Sequence, residues 1–287
     1  LTGSVREGSV QRAAVLGKPI AHSLSPVIHN AGYAAAGLTG WSYTRIECAA
    51  AELPALVAGL GPEWAGLSVT MPGKEAALTV AAEVSPVAAA VGAANTLVRR
   101  PDGSWYADNT DVTGMVEVLT EAGVRPGATV TVLGAGGTAR AALAAAARLD
   151  AAGVTVIARR PAALAELEPV AAALGVTMTS VPWPQASARF ELSPLAGTDV
   201  VVSTVPKGAA DEVADSVRWR AGTVVFDAIY DPWPTPLAAS AAAAGCLIVS
   251  GLDLLLAQAI GQFEQFTGVP APRPAMSAAL AAACAGG

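Results

Sequence analysis

An α/β protein of two domains, one of them built on a doubly wound parallel sheet, is predicted by three observations. A short β-branched run, Thr129–Leu133, stops at the glycine cluster Gly134-Ala135-Gly136-Gly137, and an alanine-rich stretch of helical character, 141–148, follows. Hydrophobic residues make up 53% of the chain, much of it Ala and Val, which suits helices packed tightly on parallel strands. The length, 287 residues, exceeds one small domain and fills two comfortably.

The glycine stretch carries the most chemistry. Gly134 lets the chain turn sharply off the strand, and Gly136 presents bare backbone. The helix that follows offers unpaired N–H groups and the positive end of its dipole to an anion such as a pyrophosphate. Ala139 stands where such loops usually have a third glycine and is still small enough for close helix–strand packing. Strand, glycine turn and helix form the entry to a dinucleotide-binding βαβ unit. An ordinary tight βα turn shares the pattern, so the surrounding chain has to decide.

Composition excludes several classes. A net charge of −6 argues against nucleic acid or an anionic membrane as partner. No apolar run reaches the ~18 residues of a membrane span; the greasiest, 247–263, carries Asp253 and two glutamines. Residues 1–10 lack the apolar core of a signal peptide and read as a flexible leader or an unusual start. Cys48, Cys246 and Cys284 are scattered with no CxxC spacing, so neither a disulfide framework nor a metal site is expected, and the cytoplasm is the default. The two histidines, His22 and His29, read as packing or surface residues.

In the first half, Arg12–Leu16 reads as a buried strand ending at Gly17. Ser25 followed by Pro26 is an N-cap before a proline at the first helical position, and the helix runs toward Ala36 and Gly37. Capping and turn formation account for Ser23 and Ser25; two hydroxyls at a helix start can also hold a carboxylate. Trp41–Ile46 is a strand, Glu52–Ala58 a helix and Gly66–Thr70 a strand that breaks at Met71-Pro72-Gly73. Lys74 opens the next helix, where a cation opposes the dipole. A surface lysine is the ordinary explanation; a functional loop between strand and helix is the other. After another helical segment, Val91–Val98 reads as a strand with Asn95 inside it, an amide that needs partners in the core or on a ligand. Asp102-Gly103 signals a hairpin returning through Trp105–Ala107. The cluster Asp108-Asn109-Thr110-Asp111 then caps a helix to Ala122 with more polar groups than one cap needs.

In the second half, Val154–Ala158 is the strand after the glycine-loop helix. At its end stand Arg159 and Arg160, with no Asp or Glu to bond a ribose 2′-hydroxyl. Guanidinium groups there suit a 2′-phosphate, hence NADP, while a solvated basic pair is the alternative. Asp199–Ser203, Thr223–Ala228 and Leu247–Val249 are further strands, and the proline-rich stretch 229–236 is a stiff connection. Gly251–Phe266 reads as a helix with Gln258 on no obviously polar face, and Met276–Ala283 as a terminal helix.

Six segments, in order, resemble the shikimate dehydrogenase family: Ser23-Leu24-Ser25-Pro26, Ser68-Val69-Thr70-Met71-Pro72-Gly73-Lys74, Gly92-Ala93-Ala94-Asn95-Thr96, Asp108-Asn109-Thr110-Asp111, Gly134-Ala135-Gly136-Gly137, and Gly251-Leu252 with Leu256-Ala257-Gln258-Ala259. The resemblance runs from about Val15 to Gln265. It implies an N-terminal α/β substrate domain, residues 11–110 completed by C-terminal helices of about 252–287. It also implies a Rossmann-type, doubly wound NADP-binding domain, 111–251, with a cleft between the two. The implied activity is the NADP-dependent interconversion of 3-dehydroshikimate and shikimate, on the route to chorismate and the aromatic amino acids.

Carried over to this chain, the resemblance makes Lys74 the acid/base and Asp111 its partner. Ser23 and Ser25 would bind the substrate carboxylate with Tyr230 nearby, and Thr70, Asn95, Asp111 and Gln258 would contact ring hydroxyls. Gly134, Ala135, Gly136, Gly137, Thr138, Ala158, Arg159, Arg160, Thr204, Val205, Ala228 and Gly251 would line the NADP site. The chain departs from the family at Gly73, where an aromatic residue is common, and at Ala158, Arg160 and Ala163, where Asn, Thr and a further Arg are usual. A monomer or homodimer is expected. Two rival readings stand beside this one: a quinate/shikimate dehydrogenase of the same fold, and a non-catalytic NADP-binding sensor, which would have no need of Lys74 with Asp111.

Overall fold

The computed structural model describes residues 10–183, 195 and 197–285; the expected leader, apart from Val10, lies outside them. The chain divides into two compact units, one running to Thr110 and resumed from Leu255, the other spanning Asp111–Leu254.

The first unit is built on a mixed sheet of β1 (Gln11–Gly17), β2 (Trp41–Glu47), β3 (Trp64–Val69), β4 (Glu83–Val84), β5 (Thr96–Arg99) and β6 (Trp105–Asp108), in the order β2-β1-β3-β5-β6-β4. β1 is central and parallel to both neighbours. Its apolar run Ala13-Ala14-Val15-Leu16 is accordingly buried on both faces. β5 and β6 form the hairpin that Asp102-Gly103 announces, with Leu97 opposite Ala107 and Gly103 at φ 87°.

Helices α1 (Ser25–Ala35), α2 (Leu53–Ala58), α3 (Ala76–Val80) and α4 (Pro86–Val91) fill the connections. Three local expectations are corrected here. Ser25 is the first residue of α1 and not its cap; the cap position belongs to Leu24, which makes no side-chain capping bond. Lys74 lies in a turn, and α3 begins two residues later. The stretch read as one strand, 91–98, is instead the end of α4, a left-handed Gly92 at φ 68°, a connection holding Asn95, and then β5. Apolarity alone does not separate a buried helix end from a strand start.

The last two helices, α10 (Gly251–Thr267) and α11 (Arg273–Ala285), contribute to this unit from Leu255 onward. Gly66 of β3 lies directly beneath the Phe266 ring, so no side chain fits there. Around this contact Tyr33, Tyr43, Phe263 and Phe266 enclose His29, whose ring stacks on Tyr43 at 4.1 Å and 4°.

The second unit holds an all-parallel sheet of β7 (Thr129–Leu133), β8 (Gly153–Ala158), β9 (Met178–Pro182), β10 (Val200–Ser203), β11 (Val224–Asp227) and β12 (Leu247–Ser250). Its order is β12-β11-β10-β7-β8-β9. The chain starts in the middle, builds outward through β8 and β9, then returns to the other side of β7. This is the doubly wound order, and its reversal point lies between β7 and β10. The helices are α5 (Thr110–Glu121), which opens the unit, α6 (Gly137–Arg148), α7 (Pro161–Ala173), α8 (Asp211–Ser216) and α9 (Pro236–Ala243). α6 is buried along almost its whole alanine face, which is how small side chains bring a helix close to a sheet. Among the described residues no helix is long and apolar enough to cross a membrane.

His29 gives the first unit a defined response to acid. The ring is fully buried, and neither nitrogen has a hydrogen-bond partner among the described residues. Burial holds its pKa down from 6.5 to about 3. The unfolded chain takes up this proton near 6.5 and the folded chain only near 3. Stability is therefore complete above 6.5 and drains as pH falls toward 3, at no more than about 1.4 kcal/mol per pH unit. In His29→Phe, Tm measured across this range should fall less steeply than in the parent. Equal slopes would show that another group controls the acid limb.

Candidate active site

In the first unit β1 and β3 run in parallel as neighbours, so both leave the sheet at one edge, and β5, antiparallel to β3, enters there. The loop after β1 carries Ser23 and leads to Ser25. The loop after β3 carries Thr70 and Lys74, and Asn95 immediately precedes β5. The backbone laces these loops together. The Thr70 N–H donates to the Leu16 carbonyl at 2.8 Å, that of Lys18 to Met71 at 3.1 Å, that of Ala94 to Lys74 at 2.8 Å, and that of Val69 to Asn95 at 2.7 Å. Five of the candidate residues thus gather at the carboxyl ends of the parallel strands, the edge at which α/β sheets present their ligand groups.

Ser23 and Ser25 sit together at the start of α1. The Ser25 N–H donates to Ser23 Oγ at 3.3 Å, and the two hydroxyl oxygens are 3.3 Å apart. Arg45, on β2, holds this loop in place by donating Nε and Nη2 to the Ser23 carbonyl at 2.8 and 2.5 Å. The result is a pair of hydroxyls over a helix N-terminus, a setting that favours an anion.

The polar cluster after β6 does more than cap. Asp108 accepts from Gln265 Nε2 at 2.8 Å, Asn109 Nδ2 donates to the Ala93 carbonyl at 2.8 Å, and the Thr110 N–H donates to Asn95 Oδ1 at 2.8 Å. Asp111, in the first turn of α5, is 7% exposed and opens the second unit. Gln258, on α10, is buried, with Oε1 3.5 Å from Asn95 Nδ2. Thr96 Oγ1 donates to Asn95 Oδ1, Gln262 Nε2 donates to the Asn95 backbone carbonyl and to Thr96, and Ser68 donates to Gln262 Oε1. Ser68 and Thr96 stood only inside the family-like segments, and Gln262 was not singled out in the sequence. The available signal was the four-residue step from Gln258 to Gln262, which puts two glutamines on one face of an apolar helix.

In the second unit the glycine loop leaves β7 beside β10. Gly134 has φ 108°, and a side chain there would collide with Thr204 Oγ1. Thr204 fastens the two strand ends, donating both its N–H and its Oγ1 to the Leu133 carbonyl at 2.8 and 2.9 Å. Gly136 is the N-cap of α6 and exposed, and a Cβ on it would meet nothing within 4 Å. Ala139 is buried. Ala135, Gly137 and Thr138 are half-buried around the same turn, and Val205 is buried just past Thr204. At the end of β8, Ala158 is buried while Arg159 and Arg160 are exposed.

Ala228 follows β11, and its carbonyl packs on Gly251, where no Cβ could fit. Tyr230 lies in the connection between β11 and α9. That connection is anchored by Asp227, which accepts from Thr235 Oγ1 at 2.7 Å and from the Ile229 N–H at 3.2 Å. Burial pushes the Asp227 carboxyl above its usual range. The loop thus combines proline stiffness with a tether to the strand it leaves.

Bare backbone at Gly136, the free start of α6 and the two exposed guanidiniums fit a phosphorylated dinucleotide. Among the described residues no group of three or more His, Cys, Asp and Glu side chains is placed to hold a metal ion.

The family model described as "Shikimate dehydrogenase substrate binding domain" matches residues 15–97, and "Shikimate 5'-dehydrogenase C-terminal domain" matches 251–281. A shikimate dehydrogenase (NADP(+)) from Anaeromyxobacter sp. is 39% identical over 276 residues, 93% of this chain and 95% of that protein. The crystal structure of Mycobacterium tuberculosis shikimate dehydrogenase superposes with a TM-score of 0.84 at 48% identity, covering 95% of this chain and 99% of that one. A quinate dehydrogenase from Corynebacterium glutamicum, solved with NAD, has a TM-score of 0.83 at 26% identity, covering 96% and 99% of the two chains. Together with the strand orders and the loop constellations of both units, these likenesses place the chain in the shikimate dehydrogenase family.

Proposed function

We propose that this chain interconverts 3-dehydroshikimate and shikimate with NADP, the first unit binding the substrate and the second the cofactor. What supports this reading above all is the gathering of Ser23, Ser25, Thr70, Lys74 and Asn95 at one sheet edge, from loops far apart in sequence. The three unpaired cysteines, Cys48, Cys246 and Cys284, suit a reducing cytoplasm.

Ser23 and Ser25 hold the substrate carboxylate at the start of α1, with Tyr230 as a further contact. Thr70, Asn95, Asp111 and Gln258 bond the ring hydroxyls. Lys74 is the acid/base. Toward shikimate its ammonium polarises the ketone and gives a proton to the oxygen; toward 3-dehydroshikimate its neutral amine takes the proton from the hydroxyl. Asp111 orients the amine and bonds the neighbouring hydroxyl. NADP supplies the hydride acceptor or donor. Its pyrophosphate belongs at the Gly134–Thr138 turn, its 2′-phosphate at Arg159 and Arg160, and its other contacts at Ala158, Thr204, Val205, Ala228 and Gly251.

The direct test is NADP reduction on adding shikimate, with quinate and NAD run alongside. Shikimate with NADP should turn over fastest. A preference for quinate would move the chain to the quinate/shikimate reading, and NADP binding without turnover would make it a sensor.

Lys74→Ala should lower kcat by about 10²–10⁴ with little change in KM for shikimate; near-full turnover would remove Lys74 from the mechanism. Arg159→Ala should raise KM for NADP much more than for NAD, whereas equal losses would mean that it does not touch the 2′-phosphate. Gly136→Ala should lower Tm only slightly, through the weaker N-cap, but raise KM for NADP, since its space is open in the protein alone. Gly134→Ala should instead destabilise by about 1–3 kcal/mol, because it strains the backbone and strikes Thr204. Thermal melts of both variants separate the two glycine roles.

A further inference from the structure

We propose that Arg45 makes the Ser23–Ser25 pair selective for an anion: its guanidinium fixes the loop and supplies the positive charge that a substrate carboxylate feels without touching it. The inference deepens the reading above and rests on it, since Ser23 and Ser25 are there the carboxylate contacts.

The start of α1 has few donors to give. The Ser25 N–H is spent on Ser23 Oγ at 3.3 Å, Pro26 has no N–H, and the Val27 N–H turns back to the Leu24 carbonyl at 3.0 Å. What remains is the pair of hydroxyls, 3.3 Å apart. Two neutral hydroxyls can bond a carboxylate, but they would bond a carboxamide or an ester carbonyl as well. Preference for the anion needs a charge, and the helix dipole offers only a partial one through N–H groups already taken.

Arg45 meets that need. It stands on β2, beside the strand that leads into the loop. Its Nε and Nη2 both donate to the Ser23 carbonyl, at 2.8 and 2.5 Å. The Ser23 N–H is held on the Ile20 carbonyl at 3.1 Å, so the residue is gripped on both sides of its Cα. By covalent geometry the carbonyl and hydroxyl oxygens of one serine are no more than about 5 Å apart. The guanidinium therefore lies within about 8 Å of the Ser23 hydroxyl, roughly one Debye length at physiological salt.

The charge is also uncancelled. Among the described residues no carboxylate pairs with Arg45. Glu47, two residues further along β2, is taken by Lys18 at 3.5 Å. A neutral donor could hold the Ser23 carbonyl as well. A guanidinium that no acid neutralises also lends its charge to whatever the hydroxyls hold.

The test is KM for shikimate at saturating NADP, measured at low and at high ionic strength in Arg45→Gln and Arg45→Lys. Arg45→Gln should raise KM by about 5- to 20-fold at low salt, with kcat within about twofold and KM for NADP unchanged. Arg45→Lys keeps the charge and loses the fork, and should cost less than about threefold. KM should climb with salt in the parent and in Arg45→Lys, and much less in Arg45→Gln. Equal losses in the two variants, a salt dependence as steep in Arg45→Gln as in the parent, or a parent-level KM in Arg45→Gln would each overturn the proposal. Ser23→Ala and Ser25→Ala tell the two failures apart. If neither raises KM for shikimate, the carboxylate is held elsewhere and the reading falls together with the proposal. If they raise it while Arg45→Gln is silent, the proposal alone is overturned.

Discussion

A carboxamide taken out of water must have its polar atoms matched, and in the first unit that requirement falls on Asn95. Its backbone carbonyl receives the Val69 N–H and the Gln262 amide, and its side-chain oxygen receives Thr96 and the Thr110 N–H. Four separate elements, β3, β5, the start of α5 and α10, are held in register by one residue. An unmatched buried amide would be costly, so these partners fix the site and stabilise the unit together. The same economy explains the three glutamines of α10, Gln258, Gln262 and Gln265: each meets a polar group of the sheet edge.

The second unit depends on a different constraint, close approach without side chains. The parallel sheet brings the ends of β7 and β10 together at the reversal of strand order, and Thr204 bonds across the join to Leu133. Only a residue without Cβ fits at Gly134, and the chain can then leave the strand and enter α6 with the N-terminus of that helix open. On the far side, Asp227 tethers the proline-rich connection that carries Tyr230. A buried carboxyl with two donors is a firm anchor, and its raised pKa reflects the burial that makes it so.

Most of the elements were legible because their signals are local. The strand–glycine–helix sequence at Thr129–Arg148, the Asp102-Gly103 hairpin and the apolar run of β1 each follow from residues adjacent in the chain. The boundaries that shifted did so where local signals compete. Ser25 looks like a cap by residue type, yet the helix starts one residue earlier in the chain than that reading allows, because Ser23 supplies its hydroxyl to the Ser25 N–H. Asn95 looked like a strand residue because Val91 and Val98 bracket it, but Gly92 ends a helix there in a left-handed conformation.

By itself the sequence determined two α/β units, the glycine turn with its two following arginines, and the family, because each is encoded by short-range patterns of apolar, small and turn-forming residues. The buried hydrogen-bonded chain from Ser68 through Gln262 to Thr96 and the Asn95 carbonyl was decided by tertiary structure. Ser68, Thr96 and Gln262 are ordinary residues in apolar runs, and the bond from Ser68 to Gln262 joins positions 194 residues apart. Hydrogen-bond direction depends on which atoms meet across that separation, and no pattern of neighbours along the chain contains it.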